Sequence, residues 1–289
     1  LRDRCPHKLL PLSLGRLVDD EVQCGYHGAR FAEGGRCVHI PGQDRIPQGA
    51  HVHGYPLHEK YNAVWIWMGD PALADPAAII DIPQYGRPGW ALIDGNYLHV
   101  ASNYLNICDN LVDPSHTSYV HPRTIGNAAG EGVPVTLVAE ADRVIAYRWI
   151  ENAPPVPLMQ RYGRFQGLTD RWQYYWCVPP AVSGVDFGAI DAGTERTEAN
   201  RDAGFRSFSY NFITPETERT SHYFWLHLRN YAVSDAEADA EVRRLYALTF
   251  EEDRELLAVI QAQQDEAGTH EFVRFALDGA SVKVRRMIA

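Results

Sequence analysis

Long apolar runs are missing from this chain of 289 residues: the longest, Ala63 to Met68, is six residues. A membrane-spanning helix needs about 20, so no segment is expected to cross a bilayer. Basic charge is also in short supply, with 27 Lys+Arg against 37 Asp+Glu and a formal net charge of −10. That excludes the basic footprint of a nucleic-acid binder and electrostatic docking on anionic lipid. Cysteines are few and odd in number, five in all (Cys5, Cys24, Cys37, Cys108, Cys177). Such a set argues against a disulfide framework and leaves free thiols or metal ligands. The chain opens Leu1-Arg2-Asp3-Arg4-Cys5 with no apolar signal region, so a cytoplasmic location is expected. Apolar residues at 45% and charged residues at 22% fit a globular protein with a core to bury.

Turn residues dominate the first 60 positions, where Gly15, Gly25, Gly28, Gly34, Gly35, Pro41, Gly42 and Pro47 separate short runs such as Arg36-Cys37-Val38-His39-Ile40. The pattern predicts a small all-β unit with ligand-bearing loops, closed by the β-prone run Val64-Trp65-Ile66-Trp67. Gly69-Asp70-Pro71, then Pro76 and Pro83, read as a linker, which divides the chain into domains 1–69 and 70–289. In the second domain, residues 104–121 fit a helix. Strands are expected over 133–150, Phe205 to Ile213 and Ser221 to Arg229, and helices over 235–266 and 271–289. A strand-rich middle bounded by long helices is an α+β pattern.

Two loops carry the first chemical signal. Cys5-Pro6-His7 is followed, after sixteen residues, by Cys24-Gly25-Tyr26-His27. Two thiolates and two imidazoles suit zinc or iron. Zinc sites more often pair Cys with Cys and His with His in each loop; here each loop supplies one of each. That distribution fits a Rieske 2Fe–2S centre, in which one iron takes both cysteines and the other both histidines.

With Leu12, Gly15 and Phe31 around them, these loops resemble the Rieske domain of the aromatic-ring-active Rieske non-haem iron oxygenases. Gly35-Arg36-Cys37, Ile40-Pro41-Gly42-Gln43 and Trp65-Ile66-Trp67 are most similar to the branch holding vanillate O-demethylase oxygenase and dicamba monooxygenase. Members of that family have several strands before the first cluster cysteine, whereas four residues precede Cys5 here. The expectation is a Rieske domain short of its N-terminal strands, or a numbering that starts inside a longer protein. For the second domain the resemblance implies a helix-grip-type fold with a central antiparallel sheet and long C-terminal helices.

Asn110-Leu111-Val112-Asp113-Pro114-Ser115-His116-Thr117-Ser118-Tyr119-Val120-His121 matches the family motif N-x-x-D-x-x-H-x-x-x-x-H at every fixed position. Taken alone, a histidine in such a segment is as readily a satisfied structural residue. The resemblance makes His116 and His121 two ligands of a mononuclear Fe(II). On an ideal helix, residues five apart lie about 140° around the axis, so a π-turn or a helix break is expected within 116–121.

A third ligand must be a carboxylate. Around Phe250-Glu251-Glu252-Asp253-Arg254-Glu255, stepping roughly 100° per residue puts Asp253 at the centre of a face bearing Val242, Tyr246, Thr249, Phe250, Leu256, Leu257 and Ile260. Glu251 and Glu255 point away, and Glu252 lies at the border. A carboxylate there is costly unless it meets a metal or a buried arginine, and the run resembles the family's carboxylate helix.

The resemblance further implies that Asp113, with Asn110 in the same motif, serves catalysis as a bridge. Asp113 would accept hydrogen bonds from a cluster histidine of a neighbouring subunit and from a mononuclear-iron histidine. Electron transfer would then cross a head-to-tail homotrimer. Gln173, Asn211 and His222, on strands expected to face the last helices, are candidate substrate contacts, although aromatic-rich strands also simply build cores. The implied activity is that of the oxygenase component of a two-component monooxygenase: O-demethylation of a vanillate-like methoxylated aromatic acid with O2. Electrons would come from NAD(P)H through a flavin and iron–sulfur reductase. Hydroxylation of an aryl methyl group or ring is the alternative. From another class, a Rieske electron carrier without catalysis would need only residues 1–69.

Overall fold

Runs this short and glycine-rich cannot make long strands. In the computed structural model of the protein, which describes residues 1–269 and 272–289, they make brief ones. Strands β1 (Arg16–Val18), β2 (Glu21–Gln23), β3 (Arg30–Phe31) and β4 (Cys37–His39) form an antiparallel sheet in that order, and β5 (Leu57–Lys60) pairs with β6 (Ala63–Ile66). Cys5, Leu12, Cys24, Phe31, Cys37 and Val52 form the small core. The chain divides into two compact units, Leu1–Asp81 and Ile82–Ala289. The boundary expected after residue 69 therefore lies further on. Residues 70–81 stay with the first unit, where the Lys60 ammonium donates to Ile79 O at 3.4 Å and the Tyr61 hydroxyl to Asp81 Oδ1 at 3.1 Å.

The second unit is built on a seven-stranded antiparallel sheet. It contains β7 (Ala91–Val100), β8 (Thr136–Ala139), β9 (Val144–Ala153), β10 (Thr169–Val178), β11 (Val182–Asp191), β12 (Phe205–Pro215) and β13 (Ser221–Arg229). The strand order is β7-β13-β12-β11-β10-β9-β8. Alternation along the strands sends Gln173 and Tyr175, Val185 and Phe187, and Ser209 and Asn211 to one side of the sheet, where all six line a single cavity. At Gly188 the ring of Trp172 occupies the space a side chain would need: an added Cβ would lie 2.3 Å from Trp172 Cζ2 and 2.2 Å from Phe205 O.

Helices cover the sheet. The segment expected as one helix over 104–121 is two, α1 (Tyr104–Leu111) and α2 (Thr117–Val120), followed by α3 (Pro157–Tyr162) and α4 (Glu198–Ala203). Pro114 explains the division, because the residue before a proline is pushed out of the helical region. The long α5 (Ala236–Ala267) starts on Asp235, whose carboxylate accepts from the N–H groups of Glu237 and Ala238 at 3.0 Å each, and ends at Gly268 with φ 64°. Both ends follow the usual capping chemistry. Val242, Tyr246, Phe250 and Leu257 on its buried face pack with sheet residues such as Tyr175, Phe187, Tyr223 and Trp225 in one core. The last helix, α6 (Gly279–Ile288), is shorter than the expected 271–289. The first residue of that expectation lies outside the described residues, and 272–275 carry no regular structure. Among the described residues no helix is long and apolar enough to cross a membrane.

Candidate metal centres

The two cysteine loops of the first unit are built to one plan. The Cys5 N–H donates to Leu10 O at 2.9 Å and the Cys24 N–H to Ala29 O at 2.8 Å. The Leu9 N–H returns to Cys5 O at 3.0 Å, as the Gly28 N–H does to Cys24 O at 3.1 Å. Four residues after each cysteine the backbone turns left-handed, at Leu9 (φ 61°) and Gly28 (φ 74°). Glycine adopts that conformation freely, whereas leucine does so at a cost. Both cysteines are buried and both histidines exposed, with the His7 and His27 rings 4.6 Å apart, centroid to centroid. Burial raises the Cys5 pKa; a backbone N–H of His7 partly offsets this and the neighbouring Cys24 thiol adds to it. Two adjacent buried thiols beside two facing imidazoles fit an iron–sulfur cluster, whose binding would draw off the thiol protons.

In the second unit, His116, His121 and Asp253 come together. One ligand atom from each lies within 4.8 Å of the others. His121 Nε2 is 3.1 Å from Asp253 Oδ1, and His116 Nε2 is 3.8 Å from the same oxygen. His116 immediately precedes α2 and His121 immediately follows it, so helix ends rather than a helix face position the two rings. Each imidazole spends its other nitrogen on a fixed partner: His116 Nδ1 lies 2.5 Å from Asp113 O, and His121 Nδ1 lies 2.8 Å from Glu252 Oε2. Such partners hold the proton on Nδ1 and turn Nε2 toward a metal. Burial lowers the His116 pKa despite the attraction of Asp253. For His121 burial acts the same way, but Asp253 and Glu252 outweigh it and the pKa is raised. The donor set, two imidazole nitrogens and a carboxylate oxygen, fits ferrous iron. The Asn110 amide donates to Asp253 Oδ1 at 3.1 Å and fixes the carboxylate from α1.

Within its own chain Asp113 has local partners. Its carboxylate accepts from the Ser115 N–H at 2.7 Å and the Ser115 hydroxyl at 2.8 Å, while its main-chain carbonyl meets the His116 ring. A side chain two bonds from the backbone, followed by Pro-Ser, folds into a local turn. Beneath this loop sits Arg148, a residue the sequence reading left without a role. Its guanidinium donates to Pro114 O and Gly130 O at 2.7 Å each, Gln173 Oε1 at 2.6 Å and Thr117 Oγ1 at 3.2 Å. The signal was present: Val144, Ala146 and Arg148 share a face of β9, so the arginine stands in a buried row. Glu252 stands at the border of the helix face, where the apolar pattern alone does not show a partner.

Asn110, His116, His121 and Asp253 line one end of a narrow cavity that continues past Gln173, Asn211, Phe187 and Tyr246. Gln173 and Asn211 thus line the cavity. His222 does not. On β13 the alternation buries Ser221, Tyr223 and Trp225 and turns His222 and Phe224 outward. There His222 Nδ1 lies 2.9 Å from the Tyr97 hydroxyl and Nε2 3.8 Å from Glu216 Oε1. A second, wider groove passes on the other side of His116, lined by Asp109, Asp113, Leu256, Ile260 and Arg285; His116 and Asn110 border both spaces.

Residues 1–56 match the Rieske [2Fe-2S] domain, and residues 100–289 match the vanillate O-demethylase oxygenase C-terminal domain. A putative toluene-4-sulfonate monooxygenase system iron-sulfur subunit of Comamonas testosteroni is 39% identical over 268 residues, covering 91% of this chain and 76% of that protein. The vanillate O-demethylase oxygenase subunit of Pseudomonas sp. (strain ATCC 19151) is 34% identical over 293 residues, covering 100% of this chain and 88% of that protein. The crystal structure of dicamba monooxygenase bound to dicamba superposes with a TM-score of 0.87 at 32% identity, covering 100% of this chain and 84% of that one.

Proposed function

Because the chain belongs to the Rieske non-haem iron oxygenases, in the branch of the vanillate O-demethylase oxygenase subunits, we propose that it removes a methyl group oxidatively from a methoxylated aromatic acid resembling vanillate. The observation that carries the reading is the convergence of His116, His121 and Asp253 on the wall of a cavity. These three residues would hold Fe(II), and Cys5, His7, Cys24 and His27 the 2Fe–2S cluster. Three protein ligands leave part of the iron's coordination open. When bound, the iron activates O2 beside the substrate carbon and the cluster supplies electrons.

The chain's own residues do the positioning. Asp113 O and Glu252 fix the two imidazoles, Asn110 fixes the carboxylate, and Phe187 and Phe250 give the cavity apolar walls. Oxygen insertion at the methoxy carbon gives a hemiacetal that collapses to a phenol and formaldehyde. Asp113, bordering the outer groove beside His116, would face the electron donor, a cluster in a neighbouring subunit of a trimer. A separate flavin and iron–sulfur reductase would charge that cluster from NAD(P)H.

The test is formaldehyde release from enzyme supplied with reductase, NADH and vanillate. Iron should be about three per chain, and Asp113→Ala should retain it while coupled turnover is lost. Identity with the toluene-4-sulfonate subunit favours a second reading, hydroxylation of an aryl methyl group. A benzylic alcohol from toluene-4-sulfonate, with no formaldehyde from vanillate, would select it.

A further inference from the structure

Native interiors seldom leave a buried polar atom unpaired, and one that borders a cavity can be kept for a ligand. A residue lining the cavity beside the metal site carries such an atom. Tyr246 lines the cavity and is 3% exposed. Its hydroxyl is buried with no hydrogen-bond partner among the described residues. Behind it, the His227 ring lies 3.9 Å away, centroid to centroid, fully buried, with neither nitrogen partnered. His227 is the cross-strand neighbour of Ser209, which also lines the cavity. Further along β13 the buried Arg229 guanidinium, paired with Asp239 at 2.7 Å, leaves Nε and Nη1 unpartnered. Among the described residues no lysine or arginine lines the cavity itself.

Tyr246 also stands at a defined distance from the chemistry. It precedes Asp253 by seven residues on α5, almost two full turns, so both project from the same face about 10 Å apart along the axis. Thr249 and Phe250 fill the turn between them and line the same cavity. That spacing matches one substituted benzene ring touching something at each end.

We propose that the Tyr246 hydroxyl is the hydrogen-bond donor that receives the acid group of the aromatic substrate, at the end of the cavity away from His116, His121 and Asp253. The assignment rests on the aryl-acid reading above and adds the residue that selects for the acid. Burial pushes the Tyr246 phenol pKa up, so the hydroxyl keeps its proton and donates, and an anionic acceptor makes that bond a strong one. The oxidised carbon, at the far end of the ring, then meets the metal.

Calorimetric titration of the iron-loaded enzyme with vanillate and with guaiacol, the same ring without the carboxylate, tests it. The wild type should bind vanillate more tightly. Tyr246→Phe keeps the ring and removes only the unpaired hydroxyl. It should weaken vanillate by about tenfold and guaiacol far less, and the substrate-free variant should melt no lower than the wild type. A wild type that does not prefer vanillate overturns the proposal, as does a variant whose two affinities fall together or not at all. Missing formaldehyde with this discrimination intact would instead remove the demethylase reading and leave the anchor standing.

Discussion

His227 should make the protein sensitive to acid by a calculable amount. Burial, reinforced by the Arg229 cation, pushes its pKa from 6.5 down to about 3. The folded protein therefore refuses a proton that the unfolded chain accepts. Stability is undiminished by this residue above the unfolded value and is lost as pH falls from there toward the folded one. Linkage sets the loss at about 0.8 kcal/mol at pH 6 and about 2 kcal/mol at pH 5, relative to pH 8. Carboxylates titrate over part of the same range, so the informative quantity is a difference between two proteins. His227→Leu fills a similar volume against Tyr246 and cannot titrate. Urea unfolding of both proteins at these pH values should show the wild type losing about 2 kcal/mol more than the variant between pH 8 and pH 5. The variant should be no less stable at pH 8, since it removes two unpartnered nitrogens and keeps the packing. Parallel pH dependence in the two proteins would refute the argument, because the imidazole would then be taking up its proton in the folded state.

Arg148→Met should cost about 3 kcal/mol in the same unfolding assay, since it strands the Pro114 and Gly130 carbonyls beneath the His116 loop. Glu252→Leu should leave the fold intact and weaken mononuclear iron about 10–100-fold in a chelator competition, because it frees the His121 ring. Gly188→Ala should destabilise by roughly 2 kcal/mol or more on a denaturant curve, as the new methyl meets the Trp172 ring and Phe205 O.

Charge placement made much of the site legible. Asp253 stood out because a carboxylate at the centre of an apolar helix face demands a partner. The row Val144, Ala146, Arg148 carries the same signal, a charge in a buried row of β9, and points to the arginine under the metal loop. His222 went astray over strand phase. The run His222 to Trp225 holds four residues that could each pack inward, and only the register with β7 and β12, Ser221 opposite Val100 and Pro215, decides which two do. The carboxylate of Asp113 lay beyond reach for another reason: a local turn to Ser115 competes with any distant partner, and spacing cannot weigh the two. The division of 104–121 was legible at Asp113-Pro114, where the cost of a helical residue before proline was the signal.

The imidazole of His116 is a party wall. Asn110 and His116 are the residues common to the inner cavity and the outer groove, and the ring is tethered to the short loop from Asp113 rather than to a helix face. A guest that reseats this ring from inside also reshapes what a visitor meets outside, and a visitor pressing from outside narrows or widens the guest's room. News of an arrival on either side thus has a few ångströms to travel, through one plate of five atoms.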